Sequence, residues 1–270
     1  MDHDQLFKSV LTAQLAPFME LFFPDEAAQL DLTQARFVDK EIFAAPPVGP
    51  SRELDLLADV PLRTPPTTKD NEPGHALVAI HIEIQAQREP EFIWRELEYY
   101  ALQRRVRGIP VFPIALFPMV DVLGRERGRR PQGGFERVLQ RDDVLGHRIL
   151  EFEFLAVTLR ALDASIYLAR PQALAGALAA RMRPTPRTPL SQHKVACLHR
   201  IIGGTGMDRE ETQRLLVDVV ETYLPLTGAD AKEFEALLQL PENEGIRETM
   251  KTWSEQQQEI GEERGKEIGK

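Results

Sequence analysis

The stretch Ala79-Ile80-His81-Ile82-Glu83-Ile84-Gln85-Ala86-Gln87 alternates apolar and polar residues, and a period of two requires a β-strand rather than a helix. His81, Glu83, Gln85 and Gln87 share one face, while Ile80, Ile82 and Ile84 pack on the other. Glu83 and Gln85 are then neighbours about 7 Å apart along the strand. Such a strand needs partners, and the preceding segments supply them. Phe37–Phe43 and Glu53–Leu62 are also β-like, separated by Pro46, Pro47, Gly49 and Pro50. A Pro/Thr/Asp/Asn-rich loop at 64–74 divides the second from Ala76–Gln87, so three strands in succession predict a meander. In the middle strand Glu53, Asp55 and Asp59 take one parity, and Leu54, Leu56, Ala58 and Val60 the other.

Helical periodicity frames these strands. Leu6, Val10, Leu11, Leu15, Phe18, Leu21 and Phe22 recur at three- and four-residue steps over 5–23, ahead of Pro24. Glu89-Pro90-Glu91 opens a second helix that runs to about Arg107, and Val111–Val120 returns as a buried apolar strand. The order helix, three strands, helix, strand implies an α/β sandwich around a mixed sheet. After Arg148 the pattern changes. Ile149–Leu159 opens with a short strand, and Leu174–Met182, Gln192–Ile202, Arg209–Tyr223 and Ala229–Leu240 read as helices. The expected organisation is an α/β domain over 1–148, a helical part over 149–250 and a charged tail over 251–270. That tail repeats glycine every fourth residue, at about 1 kcal/mol each in a helix, and is expected to be frayed or to become helical with a partner.

The chain is 270 residues long, 43% hydrophobic and 28% charged, enough to bury a substantial core. Its net charge of −9 argues against a protein that coats nucleic acid by charge alone. Local basic groups remain: Arg104, Arg105 and Arg107, then Arg125, Arg127, Arg129 and Arg130, for which solvated loop charge is the plainer reading. Cys197, the sole cysteine, excludes an internal disulfide and a thiolate-rich zinc cage. Prolines interrupt the longest apolar run, so no membrane span is expected. The acidic N-terminus lacks the pattern of an export signal, and the expected location is the cytoplasm.

Phosphodiester cleavage with a divalent ion needs hard oxygen ligands on rigid backbone and an open coordination position for water. If the hairpin register places Asp55 opposite Glu83, two carboxylates and the backbone carbonyl of Ile84 can hold Mg²⁺ or Mn²⁺.

Asp55, followed after a loop by Glu83-Ile84-Gln85 at the end of an apolar strand, resembles the PD-(D/E)XK nuclease signature with glutamine in the usual lysine place. The wider series narrows the resemblance: Leu21-Phe22-Phe23-Pro24, Phe37-Val38-Asp39-Lys40-Glu41, Arg52-Glu53-Leu54-Asp55, His81-Ile82-Glu83-Ile84-Gln85-Ala86-Gln87, and Tyr99-Tyr100 on the next helix. Together these are similar to the recombination-promoting nuclease, or putative transposase, family of bacteria, as is the Gly265-Lys266-Glu267-Ile268-Gly269 tail. The resemblance covers roughly residues 18–120. It implies a restriction-endonuclease-like fold and a metal-dependent DNA endonuclease linked to recombination or mobile elements. Asp55 and Glu83 would be the metal ligands and Gln85 would take the third signature position. The family's further acidic residue on the first helix maps onto Glu20, which equally well ends that helix's apolar face. A neutral glutamine can orient or donate a hydrogen bond but cannot supply lysine's charge, and Arg95, with Tyr99 one turn on, is a candidate substitute. Arg95, Tyr99, Arg104 and Arg105 are the expected DNA contacts. The alternative is a catalytically silent relative that binds DNA or protein, with an oligomer through the helical part or tail.

Other motifs carry less. His81 could be a ligand or touch phosphate, but a structural histidine is the preferred reading. Asp59 and Glu53 read as surface charges. Gly203-Gly204-Thr205-Gly206 lacks the spacing and following Lys-Ser/Thr of a phosphate loop and reads as a turn between helices. Cys197 and His199 do not face one another on a helix, and Trp94, Tyr99 and Tyr100 read as core residues that could also stack bases.

Overall fold

The computed structural model describes residues 3–38, 55–64, 75–87, 89–119, 134–207 and 210–268. The chain divides into two compact units, Met1–Leu162 and Asp163–Lys270.

The first unit is α/β. Helices α1 (His3–Ala13), α2 (Leu15–Phe22) and α3 (Pro24–Ala27) lead into strands β1 (Arg36–Phe37), β2 (Leu56–Pro61) and β3 (Leu77–Ile84). Helix α4 (Phe92–Arg107) and strands β4 (Val111–Phe117), β5 (Glu136–Val144) and β6 (His147–Thr158) follow. The six strands form one sheet in the order β1-β2-β3-β4-β6-β5. The first three make the expected antiparallel meander, and α4 is the crossover that makes β4 parallel to β3. Strand β6 then joins β4 in parallel and β5 in antiparallel fashion, giving a mixed sheet.

Helices cover both faces. Phe23 meets Phe112 edge-on at 5.8 Å between ring centroids and packs with Phe18 and Phe22. On β4, Phe117 has the opposite parity to Phe112 and meets Phe92 of α4 at 5.3 Å. Both faces of β3 are therefore buried, including its polar one, which α4 covers.

The single helix expected over 5–23 is broken at Gln14. Pro17 has no N–H to donate to Ala13 and its ring opposes that carbonyl, so the ladder ends at Ala13 and restarts as α2. Of the strand expected over Phe37–Phe43, Arg36–Phe37 is observed; the segment from 39 to 54, with Asp39, Lys40, Glu41 and Glu53, lies outside the described residues, as do Arg125, Arg127, Arg129 and Arg130. The unit boundary falls after Leu162 rather than Arg148, because the stretch expected as a short strand is the long β6, hydrogen-bonded on both sides. Its partner β5 was not anticipated. Charged residues mask its alternation, although Leu145-Gly146, both at positive φ, form the two-residue turn that hairpins favour.

The second unit is helical: α5 (Ala164–Leu168), α6 (Ala173–Ala179), α7 (Leu190–Gly203), α8 (Glu210–Tyr223), α9 (Gly228–Leu238) and α10 (Glu244–Ile268). Every residue of the alanine-rich α6 is buried, making it the centre of this unit. The glycine-repeat tail is helical through Ile268 as the end of α10. Among the described residues, no helix is long and apolar enough to cross a membrane.

Candidate metal centre

Pairing of Leu56 with Ile82 extends one step to place Asp55 opposite Glu83 at the end of the β2–β3 hairpin. The two are tied across the strands: the Asp55 N–H donates to Glu83 Oε1 at 3.2 Å, and the Ile84 N–H donates to Asp55 Oδ2 at 2.7 Å. Asp55 Oδ1 is held by Lys8 Nζ of α1 at 2.7 Å. Burial, and then the charge of Glu83, raise the Asp55 pKa above the ordinary carboxylate value, against the opposing pull of Lys8 and the Ile84 N–H.

Behind this pair lies a second group. His81 shares the Glu83 face of β3 because the two are two positions apart, and its Nε2 lies 3.0 Å from Glu83 Oε1. On its other side Nδ1 is 3.9 Å from Glu96 Oε2, supplied by α4. His81 and Glu96 are 0% exposed and Glu83 4%. Burial alone would lower the His81 pKa, but the bond to Glu83 and the charges of Glu96, Glu83 and Asp55 bring it above the ordinary histidine value. Burial pushes Glu96 up to about 8, with His81 opposing and Glu83 reinforcing the rise. Neither Glu96 oxygen has a hydrogen-bond donor among the described residues.

Gln85, two positions after Glu83 on β3, is buried. Its Oε1 accepts from Arg95 Nη2 at 2.6 Å and its amide donates to the Gln87 carbonyl. Arg95 also pairs with Glu89 and lies over the Phe92 ring at 5.1 Å, so its guanidinium is engaged on three sides. Arg104 donates to the Gly108 carbonyl at the C-terminus of α4, and Arg105 is exposed nearby. Tyr99 does not offer a face to a base: it is 6% exposed and meets His81 edge-on at 5.8 Å. Trp94 is the reverse, 48% exposed where a core position was expected, whereas Tyr100 packs against Phe152. Glu20 is exposed on α2, outside the His81/Glu83/Glu96 cluster. Asp59 is an ion-pair partner of Arg107 rather than an isolated surface charge.

The remaining motifs are structural. Gly204 packs on the Ala173 backbone and Thr205 bridges to Gln172, so this glycine run is a close-packed connection after α7. Cys197 lies 3.9 Å from His193, while His199 bonds Asn243.

Sequence reasoning missed Lys8 and Glu96. No local pattern marks Lys8, whose role arises when α1 packs beside β2. Glu96 did leave a signal: Phe92, Glu96, Tyr99 and Gln103 form the buried stripe of α4, and polar residues in such a stripe need partners. Comparisons with known proteins add nothing to this geometry, since no family model, curated protein or solved structure matches the chain.

Proposed function

We propose that the protein is a divalent-metal-dependent DNA endonuclease built on a restriction-endonuclease-like core and linked to recombination or mobile elements. The observation that carries this reading is the pairing of Asp55 with Glu83 and Ile84 across the β2–β3 hairpin. The succession of helices, three antiparallel strands, crossover helix and parallel strand agrees with it. The donor set suits a hard cation: two carboxylates at a strand end, with the Ile84 carbonyl beside them, are the ligand types Mg²⁺ or Mn²⁺ takes. When bound, such an ion lowers the pKa of a water and offsets charge developing on phosphate.

The protein's own groups do the rest. Asp55 and Glu83 hold the ion through their carboxylate oxygens. Lys8, already at Asp55, supplies the positive charge that Gln85 lacks. Gln85 and Glu89 fix the Arg95 guanidinium, and exposed Arg105 and Trp94 on α4 are available to a polynucleotide. Incubating supercoiled plasmid with Mg²⁺ or Mn²⁺ tests the reading: wild type nicks it, and Asp55→Ala and Glu83→Ala do not. Equal nicking by all three overturns it.

A second reading, a silent relative that binds DNA or protein, draws on one specific observation. Lys8 pairs with Asp55, and Arg95 is engaged by Gln85 and Glu89, so both positions already have protein partners for their charges. A melting temperature that ignores Mg²⁺ and Mn²⁺ in wild type, as in Asp55→Ala, would favour it.

A further inference from the structure

We propose that His81 and Glu96, with Glu83 orienting the imidazole from its far side, form a cation position of their own, which takes a divalent transition-metal ion through imidazole nitrogen and carboxylate oxygen in preference to Mg²⁺. One ligand atom from each residue lies within 4.8 Å of the others, and all three side chains are buried. The 3.9 Å between His81 Nδ1 and Glu96 Oε2 is too long for a hydrogen bond. Bonds of ~2.0–2.1 Å in a tetrahedral site set neighbouring ligand atoms roughly 3.3–3.4 Å apart, so a contraction of about half an ångström would seat both atoms on one ion.

The second observation is the unmet chemistry of Glu96. A fully buried carboxylate with no donor on either oxygen is expensive, and His81 Nδ1 facing it also lacks a hydrogen-bond partner. A cation between them answers both deficits. With Nε2 directed at Glu83, the tautomer carrying its proton there leaves Nδ1 a free lone pair, the carboxylate–histidine–metal arrangement that orients ligating imidazoles. Imidazole suits zinc, cobalt, nickel and other first-row ions, whereas Mg²⁺ keeps to oxygen and sheds its water reluctantly. The position shares Glu83 with the proposed cleavage site but does not require that the protein cut DNA.

The test is a Co²⁺ titration of the full chain after chelator treatment, followed by visible absorption and equilibrium dialysis, with Mg²⁺ as the competitor. Wild type and Asp55→Asn bind Co²⁺ with an imidazole-type spectrum that excess Mg²⁺ does not displace. Glu96→Gln and His81→Asn weaken that binding more than about tenfold. Glu96→Gln keeps the side-chain volume and cannot ionise, so above about pH 8 its metal-free melting temperature is at or above that of wild type. Equal Co²⁺ affinity in wild type and folded Glu96→Gln overturns the site, as does a wild type that binds no Co²⁺. A protein that binds Co²⁺ as described but nicks no plasmid keeps this site and loses the cleavage reading. One that nicks with Mg²⁺ and binds no Co²⁺ does the reverse.

Discussion

Lys8 Nζ of α1 lies 2.7 Å from Asp55 Oδ1, and both side chains are largely withdrawn from solvent. On the proposed nuclease reading, Lys8 supplies the positive charge that neutral Gln85 does not. Replacing Lys8 by Met is expected to slow plasmid nicking roughly ten- to a hundredfold. Because Lys8 holds the Asp55 pKa down against burial, its loss raises that pKa further, and the onset of activity moves to higher pH. A pH–rate profile of Lys8→Met that superimposes on wild type after scaling would remove Lys8 from the site.

Glu96 gives a pH dependence of stability with a definite sign. Its folded pKa, about 8, exceeds the model value of 4.5, so the folded state holds the proton more tightly. Its contribution is fully present below about pH 4.5 and is lost as pH rises through about 8; the raised pKa of His81 acts in the same direction above pH 6.5. Metal-free wild type should melt at lower temperature at pH 9 than at pH 6. Glu96→Gln should flatten that fall and gain about 2 kcal/mol at pH 9. Parallel curves for the two proteins would show that Glu96 is ionised throughout.

Burial pushes the Cys197 thiol up to about 12, leaving almost no thiolate at neutral pH. A thiol reagent should leave the native protein unmodified over hours and label one site per chain in denaturant. Rapid labelling of native protein would contradict the packing of α7.

Gly176 lies where α6 packs directly against the backbone of α7. A Cβ there would sit 2.4 Å from the Cys197 carbonyl oxygen, an immovable backbone atom. Gly176→Ala should cost about 3 kcal/mol and lower the second unit's melting temperature by about 10 °C or more. An unchanged transition would mean the helices separate without penalty.

Periodicity alone located the meander, the crossover helix and most helices of the second unit, because burying one face imposes a repeat of two or near 3.6 residues. It also indicated that Asp55 and Glu83 belong to neighbouring strands. The β5–β6 hairpin escaped notice because its charges pair with each other across the ladder, as Arg137 does with Glu153 and Arg141 with Glu151, so its solvated face reads as a loop.

Local sequence thus determined which segments become strands and helices and which residues share a strand face, since those properties depend on neighbours two to four positions away. Tertiary structure alone decided that the polar face of β3 is sealed by α4, that Tyr99 is core while Trp94 is exposed, and that Lys8 and Glu96 reach the acidic pair. Those outcomes depend on how distant segments pack, and contacts between Lys8 and Asp55 or between His81 and Glu96 leave no repeat along the chain that connects them.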